Sequence, residues 1–351
     1  MENFARRIAV RILATVLLIF VTRVSALSSG SAVAFPDPPL EVMVLTDVAG
    51  LGDKGFNDVC WQGVLRAKQD FALKARFVQA REQADYLPNI TLAAQNADVV
   101  VTLGYLFVDA LKQVTPGFPG TRFIHIEGDV TGENVASFDF KSEQGGFLAG
   151  LVAGLFTKSL KVGVVSGMDI PPVKAYVNGF KSGVKTAEEK RAKAIEVIVV
   201  SAGSFNDPVK GKSLAQALIA KGADVIFRVA GNTGIGVMEA IADRQGVYLI
   251  AEDLDMDAEM PGKILASTLK RMDVAIYQAI EGIVQGRFEP GHHWLGAAQG
   301  AIDLSPMKYS QQLFTPRDME WIDKARRLLK EGKISVPKSD AELADFQIPE
   351  L

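Results

Sequence analysis

The sequence predicts an α/β protein of two lobes, each built on a parallel sheet with helices on both faces. Three observations carry this. Short apolar runs without polar alternation, such as Val42–Thr46 and Val99–Leu103, read as strands buried on both faces. Helical patterns lie between most of these runs, and a repeated strand–helix order produces parallel sheets. About ten such units are too many for one hydrophobic core, so the chain divides in two.

The elements follow in order. Val42–Thr46 ends at Asp47, and a Gly-rich loop leads to a helix over Asp58–Phe71, where Val59, Gly63, Val64, Ala67 and Phe71 keep helical spacing. Strands Ala75–Val78, Val99–Leu103 and Phe123–Ile126 alternate with helices Ala84–Asn96 and Phe107–Val114. A strand ends near Ser137–Lys141 and a helix over Glu143–Phe156 begins, which places the first crossing between lobes there. Strands Lys161–Val165, Val197–Ser201, Val225–Val229 and Val247–Ala251 then alternate with helices Val173–Lys185, Pro208–Lys221 and Gly234–Arg244. The chain returns near Ser267–Lys270, continues through helices Asp273–Gln285 and Pro316–Glu331, and ends in a polar tail. One lobe is therefore 40–138 with about 268–300, and the other 139–267 with about 301–345.

The first residues read as an address. Arg6, Arg7 and Arg11 precede the apolar run Ile12–Val21, and small residues follow at Val24-Ser25-Ala26 and Ala32-Val33-Ala34. That is the layout of a secretory signal, 1–26 with a second small-x-small site ending at 34. The run is shorter than the ~20 residues of a spanning helix, although an uncleaved anchor is the alternative reading. Residues around Arg6-Arg7 do not match a twin-arginine signal. Four Arg and one Glu precede Leu27, so cleavage takes the formal net charge from −3 to −6. No cysteine stands near that site, so a soluble periplasmic protein without a lipid anchor is expected. Hydrophobic residues at 48% and charged residues at 23% exclude disordered and polytopic membrane classes. The single cysteine, Cys60, lies in a helical apolar pattern and reads as a core residue; it excludes a disulfide scaffold and a multi-cysteine metal cluster. No basic excess points to a nucleic-acid surface.

Two loops echo each other: Lys54-Gly55-Phe56-Asn57-Asp58 and Gly203-Ser204-Phe205-Asn206-Asp207. Each follows a strand and opens a helix. Asp207-Pro208 reads as an N-cap followed by Pro at the first helical position, and Asp58 as a cap of the same kind. In open α/β sheets ligands bind beyond the carboxyl ends of strands, so Phe56 and Phe205 are candidates to project into a cleft. Asp47 and Asp253 end strands, Asp109 follows Gly104-Tyr105-Leu106-Phe107, and Lys270 stands at the second crossing. Carboxylates accept hydrogen bonds from sugar hydroxyls, and two aromatic faces sandwich a flat ring. Together these residues describe a site for a planar base carrying a sugar.

Catalysis has thin support. His125 lies in a strand pattern and reads as a core histidine, while His292-His293 follow Pro290-Gly291 in a loop with no third metal ligand nearby. No nucleophile elbow and no phosphate-cradling Gly-Lys-Ser/Thr loop is present. Gly231-Asn232-Thr233-Gly234-Ile235-Gly236, with Glu252-Asp253 about twenty residues on, imitates a dinucleotide fingerprint, but its glycine order is wrong. No cofactor and no metal are expected.

The chain resembles the basic membrane protein family of bacterial solute-binding proteins, in particular the purine nucleoside receptor type. The matching segments span nearly the whole mature chain. They include Leu45-Thr46-Asp47, Asp53-Lys54-Gly55-Phe56-Asn57, Gly104-Tyr105-Leu106-Phe107-Val108-Asp109 and Asn134-Val135-Ala136-Ser137. They continue with Glu143–Gly150, Lys161–Asp169, Gly203–Pro208, Val229–Gly234 and Leu269-Lys270-Arg271-Met272-Asp273. The resemblance implies a type I periplasmic-binding-protein fold with three crossing segments. It implies a nucleoside, purines favoured, held between the lobes and delivered to the permease of an ABC importer. By the family pattern Phe56 and Phe205 stack on the base, Asp47 and Asn57 address its polar edge, and Asp109, Gly231, Asp253 and Lys270 hold the ribose side. Gly52, Gly55, Tyr105, Glu252 and Leu254 depart from that pattern. A monomer is expected, because one ligand between two lobes needs no oligomer. A ligand sensor of the same fold and a nucleotide-cofactor enzyme are the alternatives.

Overall fold

Apolar strands that bury both faces dictate the architecture seen in the computed structural model, which describes residues 38–351. The expected signal sequence lies outside the described residues. The first sheet holds β1 (Glu41–Thr46), β2 (Lys74–Gln79), β3 (Val99–Leu103), β4 (Arg122–Ile126), β5 (Val135–Phe140) and β11 (Gly291–Leu295), in the order β11-β5-β4-β3-β1-β2. The second holds β6 (Lys161–Ser166), β7 (Glu196–Ser201), β8 (Val225–Val229), β9 (Tyr248–Ala251), β10 (Ile264–Lys270) and β12 (Ile302–Leu304), in the order β12-β10-β9-β8-β6-β7. All pairings are parallel except β10 with β12, where Thr268 faces Leu304. The chain passes between the sheets after β5, after β10 and after β11. This is the type I periplasmic-binding-protein fold, two lobes joined by three crossing segments.

The period of two along each strand sorts the core. Val42 and Val44 of β1 join one apolar cluster, while Met43 and Leu45 join another on the opposite face. In the second sheet Val225 and Phe227 face one way and Ile226 the other. Helices therefore cover both faces of both sheets. They are α1 (Phe56–Phe71), α2 (Tyr86–Asn96), α3 (Val108–Val114), α4 (Ser142–Phe156), α5 (Pro171–Arg191), α6 (Pro208–Ala220), α7 (Thr233–Ala242), α8 (Met272–Val284), α9 (Pro316–Lys330) and the short α10 (Asp340–Ala344).

Local chemistry sets the helix starts. Asp207 accepts the Lys210 N–H at 2.9 Å and Pro208 follows it, as the sequence predicts. Thr315 and Asp318 form a reciprocal capping box ahead of α9. Asp58 does not cap α1, which begins two residues earlier than expected. Its carboxylate instead accepts the N–H groups of Gly52 and Lys54 at 2.7 and 2.9 Å, and so folds the loop. Three other expectations change. His292 and His293 sit in strand β11, paired with Ser137 and Phe138, rather than in a loop. α5 runs on to Arg191, stopping where Ala192 turns left-handed at φ 51°. The tail is not free: Ser339 caps α10, and Phe346 buries against Phe147 with ring centroids 6.3 Å apart. Among the described residues no helix is long and apolar enough to cross a membrane.

α4 and α5 pack along a seam of glycines. A Cβ on Gly146 or Gly150 would overlap the carbonyl oxygens of Tyr176 or Phe180; a Cβ on Gly179 or Gly183 would overlap those of Glu143 or Phe147. Backbone therefore meets backbone, and the seam fixes where α5 carries Tyr176. In the same way Gly236 lets α7 approach α6 at the Pro208 carbonyl. That glycine of the apparent dinucleotide fingerprint serves helix packing.

Candidate functional site

Strand ends build the cleft. Asp47 follows β1, Glu127 follows β4, Gly231 lies just past β8, Asp253 lies just past β9, and Lys270 ends β10. Of the eight residues expected at the site, all but Asp109 line one cleft of about 600 Å³, mouth included. Asp109 stands apart. The single helical turn Tyr105–Phe107 carries the chain past the sheet edge, so Gly104 and Tyr105 line the cleft and Asp109 faces solvent on α3.

In the first lobe a carboxylate pair organises the start of α1. Asp53 accepts the N–H groups of Gly55, Asn57 and Asp58 at 3.0, 2.9 and 3.2 Å. The Asn57 amide nitrogen donates to Asp47 Oδ1 and to Asp53 Oδ2, both at 3.1 Å. Asp47 also takes the Ala49 N–H at 3.0 Å. Burial raises the Asp47 carboxyl above its ordinary range and pushes Asp53 up to about 7, against the pull of its N–H donors. Folded protein then holds the Asp53 proton at pH values where the unfolded chain has lost it. The stability from that proton is complete below the unfolded value of about 4 and is lost as pH rises through about 7. Relative to Asp53→Asn, the wild type should lose on the order of 3 kcal/mol between about pH 4 and pH 8. Urea unfolding across that range reads it, and a difference independent of pH would contradict it.

At the junction of the lobes sits a buried ion cluster. Lys270 Nζ lies 2.5 Å from Glu127 Oε1, on the opposite sheet, and 3.4 Å from Asp253 Oδ1. The Tyr176 hydroxyl donates to Asp253 Oδ1 at 2.8 Å. The two carboxylates hold the Lys270 ammonium well above its ordinary range despite burial, while burial raises Glu127. Glu127 and Asp253 both adopt left-handed backbone, φ 66° and 69°, a conformation that costs a non-glycine residue energy. Lys270 Nζ also stands 5.3 Å from the Phe56 ring centroid.

A second buried pair lies beside it. Arg228 Nε is 3.0 Å from Glu252 Oε2, an ion pair without hydrogen-bond alignment. Arg228 Nη2 reaches across to the Lys54 carbonyl at 2.8 Å, and the Lys54 ammonium pairs with Glu259 of the second lobe. These contacts tie the first-lobe loop to the second lobe. Phe205 enters from the opposite loop, its ring lying where any side chain at Gly167 would sit. Phe56 opens α1 and Phe205 stands in the loop three residues before α6; both are half-buried at helix starts, as the loop echo predicts.

The cleft also holds Asp53, Glu127, Tyr176 and Glu252, which were not among the expected site residues. The strand-end rule reaches Glu127 and Glu252, one residue past β4 and β9. Tyr176 carries no linear signal, because the α4–α5 seam delivers it. The histidines stay outside the cleft. His125 is buried against Thr102, Nδ1 to Oγ1 2.9 Å, and burial pushes it down to about 3. His292 pairs with Asp139 at 2.7 Å. Among the described residues no group of three or more His, Cys, Asp or Glu is placed to hold a metal.

Two lobes closed on a buried, acid-lined cleft are the architecture of a ligand-capturing binding protein. Residues 40–340 match the family described as ABC transporter substrate-binding protein, PnrA-like. An uncharacterised lipoprotein of Pyrococcus furiosus is 31% identical over 75% of this chain and 69% of its own. The ABC transporter nucleoside-binding protein BmpA of Lactococcus lactis is 27% identical over 85% of this chain and 89% of its own. A crystal structure of an ABC transporter solute-binding protein from Aeropyrum pernix superposes with TM-score 0.81 at 27% identity, covering 88% of this chain and 96% of that one. The chain belongs to the PnrA-like family of ABC transporter substrate-binding proteins. It is a binding component, not an enzyme, and its partners are a small molecule and a membrane permease.

Proposed function

We propose that this protein captures a nucleoside, with purine nucleosides favoured, between its lobes and presents it to an ABC importer. The observation that carries the reading is the charge of the cleft: five carboxylates and one lysine line it, together with Phe56 and Phe205. Helix N-termini ordinarily attract anions, but Asp53 already occupies the N–H groups that open α1. Such a site suits a neutral ligand rich in N–H and O–H donors with a flat ring, and it repels a phosphate. The Lactococcus relative, named a nucleoside-binding protein, supports the same class.

In this reading the base stacks between Phe56 and Phe205, Asp47 and Asn57 address its edge, and Asp253, Lys270 and Gly231 face the ribose. The mechanism is closure: a ligand that touches both lobes biases the open–closed equilibrium toward the closed shape. We place the protein outside the cytoplasm, as a monomer in the periplasm. The Pyrococcus relative is named a lipoprotein, whereas the one cysteine here, Cys60, is fully buried in α1; we propose a form that diffuses freely.

Calorimetry of ligand-stripped protein tests this. Nucleosides should bind, ribose and free adenine should be silent, and nucleoside 5′-monophosphates should bind at least about 100-fold more weakly than the parent nucleosides. Silence from every nucleoside would overturn the ligand class. Phe205→Ala should weaken nucleoside binding by roughly 1–3 kcal/mol, the range of base–aromatic stacking. Unchanged affinity in that variant would remove Phe205 from the clamp.

A further inference from the structure

We propose that the cleft selects nucleosides whose base presents adjacent N–H donors, guanosine foremost, because Asp47, Asn57 and Glu252 offer that base only acceptors. This rests on the nucleoside reading and adds the hydrogen-bond pattern that the wall accepts.

The Asn57 amide decides it. An amide nitrogen has two hydrogens, and here one goes to Asp47 Oδ1 and the other to Asp53 Oδ2, both at 3.1 Å. The orientation follows from the oxygens the amide meets: Asp47 Oδ1 already accepts the Ala49 N–H and Asp53 Oδ2 the Asn57 N–H, so an amide oxygen turned toward them would face acceptors. What remains is Asn57 Oδ1, buried and without a hydrogen-bond partner among the described residues. A buried acceptor left unpaired is costly, so this atom calls for a donor from the ligand.

The neighbours share its polarity. Asp53 receives the Asn57 amide and three backbone N–H groups, so its oxygens are already engaged. Glu252 comes from the second lobe toward the same helix start: a Cβ on Gly55 would stand 3.9 Å from Glu252 Oε1. Its Oε2, paired by charge with Arg228, also lacks an aligned donor. The lysine of the cleft is committed to Glu127 and Asp253.

Bases differ in what they show such a wall. Guanine offers N1–H beside the N2 amino group, three hydrogens with no acceptor between them. The amino group of adenine is flanked by acceptors at N1 and N7. Uracil carries one N–H between two carbonyls. Purine riboside has no base donor at all, and 1-methylguanosine loses the N1 hydrogen while keeping the ring. A site built to receive N–H groups rejects analogues that lack them far more strongly than shape alone would.

Calorimetry with guanosine, 1-methylguanosine, adenosine and purine riboside is the test. Guanosine should bind at least about 100-fold more tightly than purine riboside or 1-methylguanosine, with adenosine between. Asp47→Asn, which places an amide donor in the wall, should compress the guanosine-to-purine-riboside ratio below about tenfold. Nucleosides binding within about threefold of one another in the wild type would overturn this selection and leave the nucleoside class standing. A cooperatively folded Asp47→Asn with an unchanged ratio would also overturn it. If that variant does not fold, the wild-type ligand series decides alone. Absence of binding by any nucleoside would overturn both readings.

Discussion

Lys270→Met should cost at least about 100-fold in nucleoside affinity, close to the 3–5 kcal/mol expected when one partner of a buried ion pair is removed. The reason is the position of the charge. Glu127 follows a strand of the first sheet and Asp253 one of the second, and the ammonium between them, 2.5 and 3.4 Å away, is the one cation lining the cleft among the described residues. Without it, two buried carboxylates on opposite lobes face one another as the lobes close. They must take up a proton or hold the lobes apart. Opening lets water reach Glu127, so the melting temperature of the ligand-free variant should move less than its affinity. Small-angle scattering should show the variant failing to contract when nucleoside is added. Glu127→Gln in the same chain removes one stranded charge and should restore part of the affinity. A loss below about fivefold for Lys270→Met would mean that this ammonium does not hold the closed state.

Gly150→Ala should lower stability by about 3 kcal/mol through overpacking. The added methyl would overlap the Phe180 carbonyl oxygen, which belongs to rigid helical backbone and cannot rotate away. For a chain of this size that corresponds to a fall in melting temperature of roughly 4–5 °C. The effect should reach the site as well. Separating α4 from α5 moves Tyr176, whose hydroxyl supports Asp253 at 2.8 Å, so nucleoside affinity of the folded variant should fall too. A melting temperature within about 1 °C of wild type would show that the seam relaxes freely.

Much of this was legible in the chain. Val99–Leu103 and Val225–Val229 form strands with the bounds that their runs predict, because both faces are buried and Asp98, Gly104 and Asp224 mark where the apolar run stops. The Asp207-Pro208 start of α6 was equally plain, since capping is local chemistry. Phe56 and Phe205 reach one cleft as their matched loops suggest. Other features were not legible. β11 carries His292-His293 in half-exposed surroundings at a sheet edge, where no apolar run marks a strand. Asp109 looked like a cleft acid, yet one helical turn after β3 sends it to solvent. Asp58 looked like a cap, but Asp53 takes the N–H groups of the first turn.

The sequence by itself determined the alternation of strand and helix, the two lobes and the family, because each rests on short-range patterns of burial, capping and motif order. It also supplied the aromatic and acidic residues of the cleft. Only the tertiary structure decided how those groups share their protons and charges. It set Lys270 between Glu127 and Asp253, drew Arg228 to the Lys54 carbonyl, and consumed both hydrogens of Asn57 on Asp47 and Asp53. Pairing of that kind depends on distances of a few ångströms between residues far apart in the chain. No local pattern encodes those distances; sheet order, the three crossings and the glycine seam of α4 and α5 do.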